Sequence, residues 1–300
     1  MDASQSPTLS ARSLARRIFA FPATRLVIGI VLMILAGIVA NYLSRAIVPS
    51  REGLSAIPAA TIIAVVLVAA YLGFTLFIER RGTAEFAWRG ALLELLAGLA
   101  IGVVLFSLVV GIIALGGGYQ VIGTNGLAVV FPVIGLAIVS GVGEEILLRG
   151  LFFRLIEEWL GSWAALLLSA ALFGALHLGN PNATLLAGFA IALEAGVMLA
   201  AIFMITRRLW AAIGLHAAWN FTQGGIYGIA ISGNATDGLL RARISGPDLL
   251  TGGAFGAEAS LPAIIVCTAF GIGLIVLAQR RGQVLPPLWV RNRQRAGVQS

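Results

Sequence analysis

The sequence predicts an all-α fold, a polytopic membrane helical bundle of about eight transmembrane helices. Hydrophobic residues form 59% of the 300-residue chain and charged residues 11%, whereas soluble domains carry roughly 25% charged residues. Mean hydropathy is +0.97. The apolar residues are also gathered into eight runs of near-membrane length, separated by polar or glycine-rich stretches. No soluble domain of useful size is left between them.

The spans are expected at Leu26 to Leu43, Ala59 to Ile78, Ala91 to Ile113, Phe131 to Trp159, Trp163 to Leu178, Ala183 to Ile205, Trp210 to Ile231 and Leu261 to Ala278. Pro132 suits the first turn of the fourth, where a missing amide hydrogen costs nothing. Trp159 and Trp163 suit an interfacial level, and Ser162 between them is placed to cap the fifth helix. Gly188, Ala192, Gly196 and Ala200 recur every four residues along the sixth span. Such a stripe reads as close helix packing rather than chemistry. The fifth run ends near His177 while the sixth is long enough to cross a bilayer, so irregular backbone is expected at membrane depth, tolerated only against protein or a water-filled cavity. The loop Ser232 to Ser260 carries no legible motif. The basic tail after Gln279, with Pro286 and Pro287, reads as a solvated or headgroup-facing segment.

Arginine content alternates from loop to loop. Arg80, Arg81 and Arg89 follow the second span, Arg154 lies near the turn after the fourth, and Arg207 and Arg208 follow the sixth. Arg280, Arg281, Arg291, Arg293 and Arg295 follow the eighth, and all of these share a side with Arg12, Arg16, Arg17 and Arg25. The opposite side holds Gly116 to Gly126, Asn180 to Asn182, and two loops with few arginines: Arg45 and Arg51 in one, Arg241 and Arg243 in the other. The positive-inside rule then gives a protein integral to the membrane, expected to be a bacterial plasma membrane, with both termini cytoplasmic. The basic start resembles a signal peptide, but the run after it is too long and shows no convincing cleavage site.

The net charge of +7 comes from arginine alone, since the chain has no lysine. In an apolar chain it signals loop orientation and contact with membrane lipids, not nucleic acid. The lone Cys267 falls in the last span and supports neither a disulfide framework nor a thiolate metal site.

Polar groups at membrane depth are costly, which makes each one a functional-site candidate. Gly143 to Arg149 reads GlyGluGluIleLeuLeuArg, and Phe173 to His177 reads PheGlyAlaLeuHis, on the two sides of a turn near Gly161. Glu144 precedes Leu160 by 16 residues and His177 follows Gly161 by 16. At ~1.5 Å per residue, both lie about 24 Å from the shared turn, at one level of an antiparallel pair. Glu145 and Arg149 share a helix face and suit an ion pair, whereas Glu144 is rotated by about 100° and left free. His216 to Asn220, HisAlaAlaTrpAsn, puts an imidazole and a carboxamide on one face of the seventh helix. His216 lies ~12 Å in from Arg208 by helical rise. A lone helical histidine is more often a packing residue; here the chain's two histidines, a free glutamate and an asparagine converge on one computed depth. Glu194, in the middle of the sixth span, either lines a cavity or hydrogen-bonds across helices.

These three motifs, GluGluXaaXaaXaaArg at Glu144 to Arg149, PheXaaXaaXaaHis at Phe173 to His177 and HisXaaXaaXaaAsn at His216 to Asn220, resemble those of the CAAX protease and bacteriocin-processing membrane proteins, which include the type II CAAX prenyl endopeptidases. The resemblance covers about Phe131 to Phe221. It implies an intramembrane endopeptidase in which Glu144 and His177 activate the attacking water, His216 and Asn220 stabilise the oxyanion, and Glu145 with Arg149 shapes the site. Glu144, His177 and His216 are alternatively zinc ligands with a water in the fourth position, so the cofactor is none or zinc. The HisGluXaaXaaHis helix motif of zinc proteases is absent, and Asn220, a poor zinc ligand but a suitable oxyanion donor, favours the zinc-free arrangement. The implied substrate is a peptide or lipidated peptide. Two other classes stay open: a proton-coupled transporter, and a non-catalytic binding or immunity protein.

The resulting organisation is a basic cytoplasmic segment over 1–25, N-terminal membrane helices over 26–126, a catalytic core over 127–231, a non-cytoplasmic loop over 232–260, and a last helix with a basic cytoplasmic tail over 261–300. Reporter fusions after Gln279 and within Ser232 to Ser260 are expected to report opposite sides of the membrane; the same side for both would sink this topology.

Overall fold

The computed structural model describes residues 19–298. Arg12, Arg16 and Arg17 of the basic N-terminal segment lie outside the described residues. Among the described residues the chain is an all-α membrane bundle built on α1 Pro22–Ile47, α2 Gly53–Ile78, α3 Ala91–Leu115, α4 Leu127–Leu160, α5 Ser162–His177, α6 Leu185–Thr206, α7 over residues 210–226 and α8 Leu261–Arg280. Each corresponds to one expected apolar run. Six are long and apolar enough to cross a membrane; α5, with 16 residues, and α7 are shorter. Side chains such as Val27, Val31, Leu35 and Val39 on α1 stay exposed, as lipid-facing residues do.

Helix contacts are made by small residues that let backbones approach. The closest pairing is α3 with α7. A Cβ on Gly98 would stand 2.2 Å from the Ala211 carbonyl oxygen, and one on Gly214 would stand 2.4 Å from that of Leu95. In lipid, where apolar burial alone drives little helix association, this close packing is the main adhesive. The small-residue stripe on α6 packs as expected: Gly188 and Ala192 meet Gly174 of α5, and Gly196 meets Ala170.

The irregular backbone takes the form of wide π turns. They lie at Phe74–Ile78, Ile146–Phe153, Ala192–Gly196 and Phe221–Ile226. Two of the last three directly follow motif residues on α4 and α7 and the other contains Glu194 on α6, and π turns of this kind often mark functional sites.

Four features depart from the sequence expectation. A two-stranded antiparallel ribbon, β1 Tyr119–Thr124 with β2 Leu240–Ile244, joins two loops in a chain read as wholly helical. Two edges pairing with each other is a non-local event with no periodic signal in a six-residue stretch. Ser162 does not cap α5: Gly161, with φ of 83°, occupies the cap, and the Ser162 hydroxyl donates to Glu157 while accepting from the Leu285 amide at 2.8 Å. The tail therefore folds back onto the α4–α5 turn before entering α9 Leu288–Val298. Finally, the end of the loop from Ser232 to Ser260 is buried at Phe255 to Ser260 and packs near the end of α5. The Asn182 side chain donates to the Gly233 carbonyl at 3.2 Å, and Phe255 packs with Leu148, Phe173 and Ile191.

At the other end of the bundle, arginines and carboxylates interlock. Glu79 accepts from Arg25, Arg81 and Arg154 at 3.0, 2.7 and 2.7 Å, Glu157 pairs with Arg207 and Glu158 with Arg25. Arginines from four of the segments assigned to one side by charge thus meet in one layer. The glycine contacts generate a test: Gly214→Ala should lower the detergent melting temperature by an amount equivalent to about 1–3 kcal/mol of overpacking. Gly111→Ala, on the open side of α3 with nothing within 4 Å of its added carbon, should not.

Candidate active site

The motif residues come together where α4, α5, α6 and α7 meet. Glu145 and Arg149 form the expected ion pair one helical turn apart, at 2.9 Å and fully buried. The pair extends further than spacing alone implied. Arg149 also donates to the Ala195 and Gly196 carbonyls of the α6 π turn at 3.2 and 3.3 Å. Its guanidinium carbon stands 4.8 Å over the Phe173 ring. The same Glu145 oxygen, Oε1, lies 2.9 Å from His216 Nδ1. A carboxylate only accepts, so Nδ1 carries the hydrogen and the remaining ring nitrogen, Nε2, is turned to the site.

That nitrogen lies 3.9 Å from Glu144 Oε2. Glu144 is the freer of the adjacent glutamates: its side chain is 37% exposed, and Oε2 is buried with no hydrogen-bond partner among the described residues. His177 is fixed by a different device. Its Nδ1 donates to the Phe173 carbonyl one turn back at 2.7 Å, and its ring stacks against Phe173 at 4.7 Å, leaving Nε2 with a lone pair. Asn220 is buried and its amide donates to Ser140 Oγ at 2.9 Å; one amide hydrogen remains. Ser140 in turn donates to the Leu136 carbonyl.

His177, His216 and Asn220 line one cavity of about 20 Å³, room for about one water molecule. Glu194, Ser232 and Glu258 complete its polar wall, against Phe173, Met198 and Trp219. Glu194 thus does both: it lines the cavity and hydrogen-bonds across helices to Cys267 of α8. Glu258 and Ser232 were not legible, since they sit in the loop without a motif; the one available signal was an acidic residue just before an apolar run. Ser140 was more findable, because it lies four residues before Glu144 on the same face. Burial pushes the Glu258 carboxyl up to about 7, against the lowering effect of the Ser232 and Gln223 side chains and of the His216 charge.

Among the described residues, no three His, Cys, Asp or Glu side chains converge as metal ligands. Glu144 and His216 approach each other, but His177 does not join them in a ligand set. The alternative of zinc on Glu144, His177 and His216 does not fit this arrangement.

Residues 126–222 match the family model described as type II CAAX prenyl endopeptidase Rce1-like. No curated protein and no solved structure matches the chain. The matched segment contains Glu144, Glu145, Arg149, His177, His216 and Asn220 and ends before Glu258. That segment, about a third of the chain, is similar to the CAAX protease and bacteriocin-processing family, and the similarity supports a CAAX-type intramembrane endopeptidase in general.

Proposed function

We propose that the protein hydrolyses a peptide bond of a membrane-associated substrate, a lipidated C-terminal peptide or an apolar secreted peptide, using a water activated by Glu144 and His177. The observation that carries this reading is the clamped His216, held by Glu145 so that its second nitrogen faces an unpartnered Glu144 oxygen. Hydrolysis needs a base for the water proton and donors for the charge that develops on the carbonyl oxygen. Glu144 supplies the base, and the His177 Nε2 lone pair, set by the Phe173 carbonyl, orients the water. The spare Asn220 amide hydrogen and the doubly protonated His216 ring supply the donors. A general base of this kind contributes typically about 10²–10⁴-fold, and one oxyanion donor about 10²–10³-fold. Both termini cytoplasmic, and a bacterial plasma membrane, complete the reading.

The first test separates chemistry from support. Glu144→Gln should abolish cleavage of an apolar peptide library by purified protein, at near-normal folded yield. Glu145→Gln and Arg149→Ala should lower folded yield as well, because breaking a fully buried pair costs about 3–5 kcal/mol. Equal loss of yield in all three variants would make Glu144 a structural residue.

The second concerns the metal alternative. Activity should survive exhaustive chelation, and Asn220→Ala should lower turnover by about 10²-fold with little change in substrate binding. Stoichiometric zinc that leaves with the activity, and restores it when added back, would overturn the zinc-free reading.

A further inference from the structure

Hydrolysis of an amide has a second proton requirement that Glu144, His177, His216 and Asn220 do not meet. When the carbon–nitrogen bond breaks, the electron pair goes to a nitrogen that leaves as an amine only if it gains a proton. Glu144 as base holds the water proton, and Asn220 is a hydrogen-bond donor that keeps its hydrogens.

Two carboxyl groups unused by the mechanism line the same cavity. Glu194 is carried inward by the Ala192–Gly196 π turn and Glu258 by the Ala257–Ala259 turn just before α8. Their relative exposures are 1% and 2%, and Glu194 Oε2 and Glu258 Oε1 are buried without a hydrogen-bond partner among the described residues. A fully buried carboxylate left unpaired is costly, whereas a protonated carboxyl is tolerated and carries a donor.

We propose that Glu258, with Glu194 beside it, is the general acid of the reaction, handing its proton to the departing amine across the cavity shared with His177, His216 and Asn220. This rests on the endopeptidase reading. In the balanced reaction, the water oxygen bonds to the carbonyl carbon and its proton goes to Glu144. The tetrahedral oxyanion collapses, the carbon–nitrogen bond breaks, and nitrogen takes the Glu258 proton. After the products leave, a water that refills the site carries the Glu144 proton back to the Glu258 carboxylate, so peptide and water give acid and amine with both glutamates restored. The groups facing Glu258 are Glu194 from α6, His216 and Gln223 from α7, and Ser232; the neighbouring Asp248 is exposed and turned to Gly253. With its carboxyl near 7, Glu258 loses its proton as pH rises, so amide turnover falls above about pH 7.

The test uses a leaving group that needs no proton. Purified full-length protein is given a fluorogenic apolar peptide and the p-nitrophenyl ester of its amino-terminal half, which releases a stable phenolate. Glu258→Gln should lower kcat for the amide by about 10²-fold or more, remove the alkaline fall of its pH profile, and keep ester turnover within a fewfold of wild type. Equal loss on both substrates, or wild-type amide kcat with an unchanged profile, overturns the assignment. If Glu258→Gln gives no folded protein, Glu258→Asp decides: a retained alkaline fall with preserved ester turnover supports the acid, and loss of both reactions overturns it. Wild type cleaving neither probe defeats the endopeptidase reading itself, and the general acid with it.

Discussion

Arg149 is a cation held entirely out of solvent. It is the largest fully buried side chain and lies between four helices. Taking an ion pair out of water costs several kcal/mol per charge, and only good geometry with added hydrogen bonds offsets it. Arg149 obtains that geometry from Glu145 one turn back, from two π-turn carbonyls on α6, and from the Phe173 face on α5. Through the second hydrogen bond to Glu145, His216 of α7 joins the set. The ion pair therefore fixes which faces of α4, α5, α6 and α7 meet, and the catalytic groups are placed as a consequence.

The adjacent glutamates divide structure from chemistry by rotation alone. A helix turns by about 100° per residue, so Glu145 points at Arg149 and His216 while Glu144 is left with an unpaired oxygen. The π turns extend the same logic. Each inserts a residue that shifts the register of the helical turns beyond it, and the one on α6 carries both Glu194 and the two carbonyls that accept from Arg149. In hydrocarbon such carbonyls need a donor from within the protein, and a buried guanidinium with several N–H groups is well suited to provide it.

The features legible in the sequence are those a helix makes local. The apolar runs, the Glu145–Arg149 pair, the free Glu144 and the common depth of His177 and His216 all derive from rise and rotation. The α6 stripe was readable for the same reason. The misses are contacts between segments far apart in sequence. Glu258 reaches the cavity because Gly233 backs onto Pro181 and Phe255 enters the Phe173 cluster, and neither contact leaves a periodic trace. Ser162 looked like a cap because capping chemistry is local, yet its hydroxyl was taken by the returning tail at Leu285. The β1–β2 ribbon is a third non-local pairing in short strands.

The cavity size adds a constraint on how such a site is used. About 20 Å³ is room for one water and leaves no room for a peptide bond with its flanking residues. Substrate binding must then displace part of the wall. The helical walls are tied by Arg149 and by backbone contacts at Gly174, Gly188 and Gly196. The remaining wall is the segment with Ser232, Phe255 and Glu258, held to α5 by the Asn182 hydrogen bond and a small apolar cluster. Motion of α4 against α6 breaks the Arg149 hydrogen bonds to the Ala195 and Gly196 carbonyls and leaves a buried guanidinium short of acceptors, whereas the loop is tied to this end of the bundle by Asn182 and Phe255. Opening from the loop side leaves Glu144, His177 and His216 in register, and under the proposed hydrolysis it would position the base before a peptide arrived.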